Sequence, residues 1–192
     1  VFEGGVNYKL ADWITIGTEG TIALNNVQGY GNTFNTYATI THKNLSLSLK
    51  DYFFFNGYSA KDNNYFDYGK TTSHFVEATL KYSNDEVYGS ASYVLHQNSL
   101  LDNNAFYFEA GYNIMDNLKV SCGYITDAST LNFRSDAGIT HVGIVTNRDF
   151  KISESWTSKV TTGMYFNPSY KNVVDVTGIS STPVNLIVSV TL

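Results

Sequence analysis

This sequence predicts an all-β fold, a transmembrane up-and-down antiparallel barrel of about twelve strands made by residues 1–192 as one domain. Three observations predict it. Apolar and polar residues alternate with period two through most of the chain. The segments between the alternating stretches are short and long by turns. Aromatic side chains collect where those stretches end.

Alternation marks about eleven strands, near 2–10, 13–24, 34–42, 45–56, 74–82, 87–96, 105–114, 118–126, 138–147, 157–166 and 184–192. Each is close to the ~10 residues that a tilted membrane strand needs. In order, the first sets Val6, Tyr8 and Leu10 against Asn7 and Lys9. The second sets Ile14, Ile16, Ile22 and Leu24 against Thr15, Gly17, Glu19 and Thr21. Leu45, Leu47 and Leu49 oppose Ser46, Ser48 and Lys50, and Val76, Ala78, Leu80 and Tyr82 oppose Glu77, Thr79 and Lys81. Ser90 and Ser92 carry the polar face through 87–96. Phe106, Phe108, Ala110, Tyr112 and Ile114 then alternate with Tyr107, Glu109, Gly111 and Asn113. Lys119 and Ser121, and later Lys159, Thr161, Gly163 and Tyr165, continue the polar set. The last strand sets Leu186, Val188, Val190 and Leu192 against Ile187, Ser189 and Thr191. A face this rich in Ser, Thr, Glu and Lys is poor core material, so the expected arrangement wraps it around a lumen and turns the apolar face to lipid.

The connections agree. Segments 11–12, 42–44, 83–86, 115–117 and 148–155 are short, while 25–33, 57–73, 97–104, 127–137 and 167–183 are long. Outer-membrane barrels pair short periplasmic turns with long outer loops in this way. Trp13 and Trp156 both adjoin short turns and are expected in a periplasmic girdle, with Tyr52 to Phe55 at the other rim. The turns Ala11-Asp12-Trp13 and Met115-Asp116-Asn117 set Leu10 opposite Ile14 and Ile114 opposite Leu118, and so Lys9 opposite Thr15 and Asn113 opposite Lys119. Asp51 breaks the pattern by following Leu45, Leu47 and Leu49 on the lipid parity; a bulge near Lys50-Asp51 is expected to turn it inward. Strands 2–10 and 184–192 both run toward the short-turn side. Two such strands cannot share an antiparallel seam, so a further strand is expected before Val1, with both termini periplasmic.

Composition narrows the class. The chain is 43% hydrophobic and 15% charged, with fifteen Tyr, twelve Phe and fifteen Gly against two Pro, a profile that suits strands and aromatic belts. A net charge of −5 without a basic run argues against nucleic acid as a partner. Cys122 is the single cysteine and reads as a small apolar strand residue. No stretch reaches the ~20 apolar residues of a membrane helix.

The segment Leu45-Ser-Leu-Ser-Leu-Lys-Asp-Tyr-Phe-Phe-Phe55, the loop Tyr65-Phe66-Asp67-Tyr68 leading to His74-Phe-Val-Glu77, and Phe166-Asn167-Pro168 resemble a family of small bacterial outer-membrane barrels filed as conserved hypothetical proteins of the Gcw type. In outline the chain is also similar to the twelve-stranded nucleoside channels. The resemblance implies fold and location.

Catalysis is not expected. None of His42, His74, His96 and His141 sits in a nucleophile motif, Gly-x-Ser-x-Gly is absent, and Ser73 and His74 point to opposite faces of a strand. No metal or cofactor is expected either. His74 and His96 lie near the outer rim, within reach of the 61–67 loop. Tyr65, Phe66, Asp67, Tyr68 and His74 form a candidate outer-loop site whose aromatic rings suit sugar or nucleoside stacking, and which equally suits docking on a neighbour. The candidate lumen set is Lys9, Glu19, Lys50, Glu77, Lys81, Tyr107, Glu109, Lys119, Lys159 and Tyr165. Glu77 and Lys81 are expected to join a network with Lys50 or Glu109. Such a wall lines a narrow pore or solute site, or closes into a salt-bridged plug. Two functions follow: a channel or binding barrel for small hydrophilic solutes, and a non-conducting accessory subunit in a complex with other outer-membrane proteins.

Overall fold

The alternation becomes strand pairing. In the structure, a computed structural model that describes residues 2–22, 32–55, 64–69, 72–97, 105–132, 134–151, 153, 157–172 and 182–191, eleven strands form one sheet. They are β1 (Phe2–Ala11), β2 (Ile14–Ile22), β3 (Thr33–His42), β4 (Leu45–Phe54), β5 (His74–Ser83), β6 (Val87–His96), β7 (Phe106–Met115), β8 (Leu118–Ile125), β9 (Gly138–Lys151), β10 (Thr157–Phe166) and β11 (Val184–Thr191). Among the described residues each pairs antiparallel with its neighbours in sequence and with no other strand. No α-helix occurs among the described residues. β1 and β11 are the two edges and are not joined to each other. With eleven strands alternating in direction, those edges run the same way.

Side-chain exposure follows the period of two. In β7, Phe106, Phe108, Ala110, Tyr112 and Ile114 are exposed, while Tyr107, Glu109, Gly111 and Asn113 are half-buried. In β4, Leu45, Leu47 and Leu49 are exposed, and Ser46, Ser48 and Lys50 are half-buried. One face of the sheet is therefore apolar and open, and the other is polar and sheltered. Hydroxyl pairs bind adjacent strands on the polar face, with Thr39 and Ser48 at 2.6 Å and Thr79 and Ser92 at 2.7 Å. The buried apolar side chains Phe53, Phe54, Phe75, Ala105 and Ile125 all lie at the long-loop ends of their strands.

Two expectations need correction. The β1–β2 and β7–β8 turns contain two residues, not three: Ala11 pairs with Ile14 and Met115 with Leu118, so Leu10 and Ile114 fall at bulges while Lys9–Thr15 and Asn113–Lys119 keep the expected register. The extra residue lets a two-residue turn follow the strand twist. No bulge occurs at Asp51 either. The β3–β4 and β4–β5 ladders run unbroken through Lys50 and Asp51, which leaves Asp51 on the apolar face. The nearest bulge is on β6, where Val76 pairs with His96 and Glu77 with Val94. Trp13 sits exposed in the β1–β2 turn; Trp156 lies outside the described residues.

Candidate functional site

The polar face carries two connected clusters. The first begins with Glu19 on β2, whose carboxylate binds the Lys50 ammonium from β4 and accepts the Asn35 side-chain amide at 3.1 Å. Lys50 also lies 4.5 Å from the Tyr52 ring centre. Glu77 shares this face and accepts the Thr79 hydroxyl at 2.9 Å. Glu77 is paired across β4–β5 with Lys50, one of the two partners expected for it. Four residues along a strand span roughly 13 Å, and Lys81 leans instead toward the Tyr88 ring, 5.8 Å away.

The second cluster is built around Glu109 on β7. Tyr88 from β6 donates to one carboxylate oxygen at 2.6 Å and Tyr107 donates to the other at 2.8 Å. Lys119 from β8 places its ammonium 3.7 Å from the Tyr88 ring centre, a cation–π contact. His141 on β9 lies 3.3 Å from the Ser121 hydroxyl and meets the Tyr165 ring edge-on at 5.4 Å. Glycines on neighbouring strands make room for the rings. A Cβ at Gly111 would fall 2.0 Å from Tyr88, one at Gly123 2.7 Å from the Tyr107 hydroxyl, one at Gly143 2.5 Å from Tyr165, and one at Gly17 2.4 Å from Tyr37. Each tyrosine thus lies across a neighbouring strand where only glycine leaves space. Lys9 and Lys159 share the polar face but are exposed near the short-turn end, away from both clusters.

A loop is fastened over the long-loop end of this face. Arg134 is buried, and its guanidinium donates to the Asn167 side-chain oxygen, to the Ser169 carbonyl at 3.1 Å and to the Thr140 carbonyl at 2.9 Å. A two-residue ladder with Ser129 shapes the loop around it. Burial pushes the guanidinium down from its usual range; an arginine nevertheless keeps its charge. Replacing Arg134 by Met should free the loop. Amide exchange at Ser129 and Arg134 is expected to quicken severalfold while the strand amides of β9 and β10 stay protected; equal rates in both proteins would deny the arginine that role.

The outer-loop residues come together on the opposite, apolar face. Residues 64–69 form a strap shaped by side-chain turns, with Phe66 N–H donating to the Asn64 side chain at 3.1 Å and Gly69 N–H to the Asp67 carboxylate at 2.8 Å. Beneath it His74, fully buried, faces Asp51 at 2.8 and 3.0 Å. Tyr68 stacks on His74 at 4.0 Å and donates its hydroxyl to Asp51 at 2.5 Å. Partial burial and that carboxylate push the Tyr68 phenol up from its ordinary range. Tyr65 packs edge-on against Phe34 and Phe53. Asp67 and Phe66 are exposed, Phe66 by 85%.

Sequence reasoning brought the 61–67 loop to His74 and His96, and Tyr68 does lie near His96, at 6.0 Å between rings. It missed Asp51 as the partner, along with Tyr88, His141 and Arg134. Tyr88 was within reach, because it shares parity with Ser90 and Ser92. Arg134 is one of two arginines and carries no local pattern. No family model, no curated protein and no solved structure matches the chain.

Proposed function

We propose that the chain is an integral outer-membrane β-barrel whose polar face lines a narrow lumen for small hydrophilic solutes. The observation that carries this reading is the inversion of the two faces. Leu45, Leu47, Leu49, Phe106, Phe108, Leu186 and Val188 are exposed along the apolar face, while the sheltered face holds the hydrogen-bonded Glu, Lys and Tyr network. Lipid is the solvent that such an exterior suits, and water fills such an interior. Closing the sheet takes a strand antiparallel to both β1 and β11, since unpaired edges in hydrocarbon cost several kcal/mol per group. The short turns and the end of β11 lie on the periplasmic side.

In planar bilayers the protein should give small, steady conductance steps. Glu109→Gln removes one negative charge from the lumen wall and should shift selectivity toward anions, measured as a reversal potential under a salt gradient. Silent bilayers from protein shown to be inserted would defeat the channel reading. The two free edges favour a second reading, an accessory subunit completed by a strand of another outer-membrane protein. Silence together with cross-links from β1 and β11 to a second protein supports that reading.

A further inference from the structure

The strap at 64–69 is held to the apolar face by an unusual hydrogen-bond set at His74. One ring nitrogen, Nδ1, faces both oxygens of Asp51 at 2.8 and 3.0 Å, and the other, Nε2, faces the Tyr65 carbonyl at 2.7 Å. A carboxylate and a carbonyl can only accept hydrogen bonds. Facing an ionised Asp51, both nitrogens can therefore donate only when the ring carries two protons and a positive charge. The ring is wholly buried, so water cannot replace either bond. We propose that the strap is a proton-dependent clasp: doubly protonated His74 pins it to the sheet, and loss of one ring proton releases it.

The direction of release follows from the strengths of the two acceptors. A neutral ring keeps one N–H, and the charged Asp51 carboxylate competes for it better than the neutral Tyr65 carbonyl. The remaining nitrogen then presents a lone pair to the carbonyl lone pairs, so the bond that is lost is the one to the strap. Asp51 meanwhile loses its counter-charge in a buried place, and opening the strap lets water reach it. The titratable groups around His74 among the described residues are Asp51 from β4, Tyr65, Tyr68 and the exposed Asp67 from the strap, and His96 from β6, which meets Tyr68. β3 offers Phe34 and Thr36, which do not titrate. Glu77, Lys50 and Tyr52 lie on the opposite face. Tyr68 keeps its proton as the pH rises, because partial burial and Asp51 raise its pKa. The clasp does not depend on whether the lumen conducts.

The test uses the full chain in detergent micelles, with a spin label at Phe66→Cys in a Cys122→Ser background. The mobile fraction of the label should be severalfold higher in an alkaline buffer than in an acidic one. His74→Gln should abolish this pH dependence, and His96→Gln should leave it in place. A label whose motion ignores pH, or whose pH response survives His74→Gln, overturns the proposal. If His74→Gln does not fold, nitrogen-15 spectra of the histidine rings decide in the unsubstituted chain. Two ring N–H signals from His74 in the docked state support the clasp, and one alone overturns it.

Discussion

Gly111→Ala should destabilise the sheet by about 1–3 kcal/mol, the ordinary cost of forcing a methyl into filled space. The new Cβ would lie 2.0 Å from the Tyr88 ring, and the ring has little freedom to retreat. Its hydroxyl is committed to Glu109 at 2.6 Å and its face to the Lys119 ammonium at 3.7 Å. Moving the ring therefore strains the carboxylate and the cation together. Gly4→Ala serves as the control, because nothing lies within 4 Å of a Cβ there. The measurement is the urea midpoint in micelles. Combining Gly111→Ala with Tyr88→Ser should cost less than the sum of the two single changes. Full additivity would mean that ring and glycine do not meet.

A larger loss is expected from Asp51→Ala, about 3–5 kcal/mol, because removing one partner of a buried pair strands the other. His74 would keep its buried imidazole with no acceptor for Nδ1, and the Tyr68 hydroxyl would lose its carboxylate. The reciprocal change, His74→Leu, should cost a similar amount by leaving Asp51 charged under the strap. Joining the two as Asp51→Leu with His74→Leu should recover most of the loss, since apolar replacement of a whole buried pair is often neutral. Unfolding midpoints of the three variants check this. A double variant as unstable as the sum of the singles would show that the ion pair itself, and not the avoidance of a lone charge, holds the site together.

Strand positions were legible in the sequence because a period of two is a local signal. β4, β7 and β10 begin and end within two residues of the alternation that announces them. Parity likewise placed Glu19, Lys50, Glu109 and Tyr165 on one face. Partners were not legible, because they depend on shear between strands: Lys50 reaches over β3 to Glu19 on β2 in preference to its directly paired neighbour Glu77. Asp51 shows the deeper limit. On parity alone, a carboxylate facing lipid looks like an error that the backbone must correct with a bulge. The chain instead leaves the strand straight and covers the charge with a strap from the following loop, whose Tyr68 satisfies it together with His74 of β5. Nothing within the strand announces that solution. The Leu10 and Ile114 bulges were missed for a different reason, since two- and three-residue turns around Asp12 and Asp116 read alike until the ladder is seen.

Pairing only between sequence neighbours has a kinetic consequence. Each hairpin closes a loop no longer than the segment joining its two strands, so no step has to wait for distant parts of the chain to meet. The short-turn hairpins, β1–β2, β3–β4, β5–β6, β7–β8 and β9–β10, can zip first and independently, and the long loops then join finished hairpins edge to edge. Topologies of such low contact order fold fast for their size. A chain that begins folding in this order spends little time with bare strand edges, the state in which β-proteins aggregate.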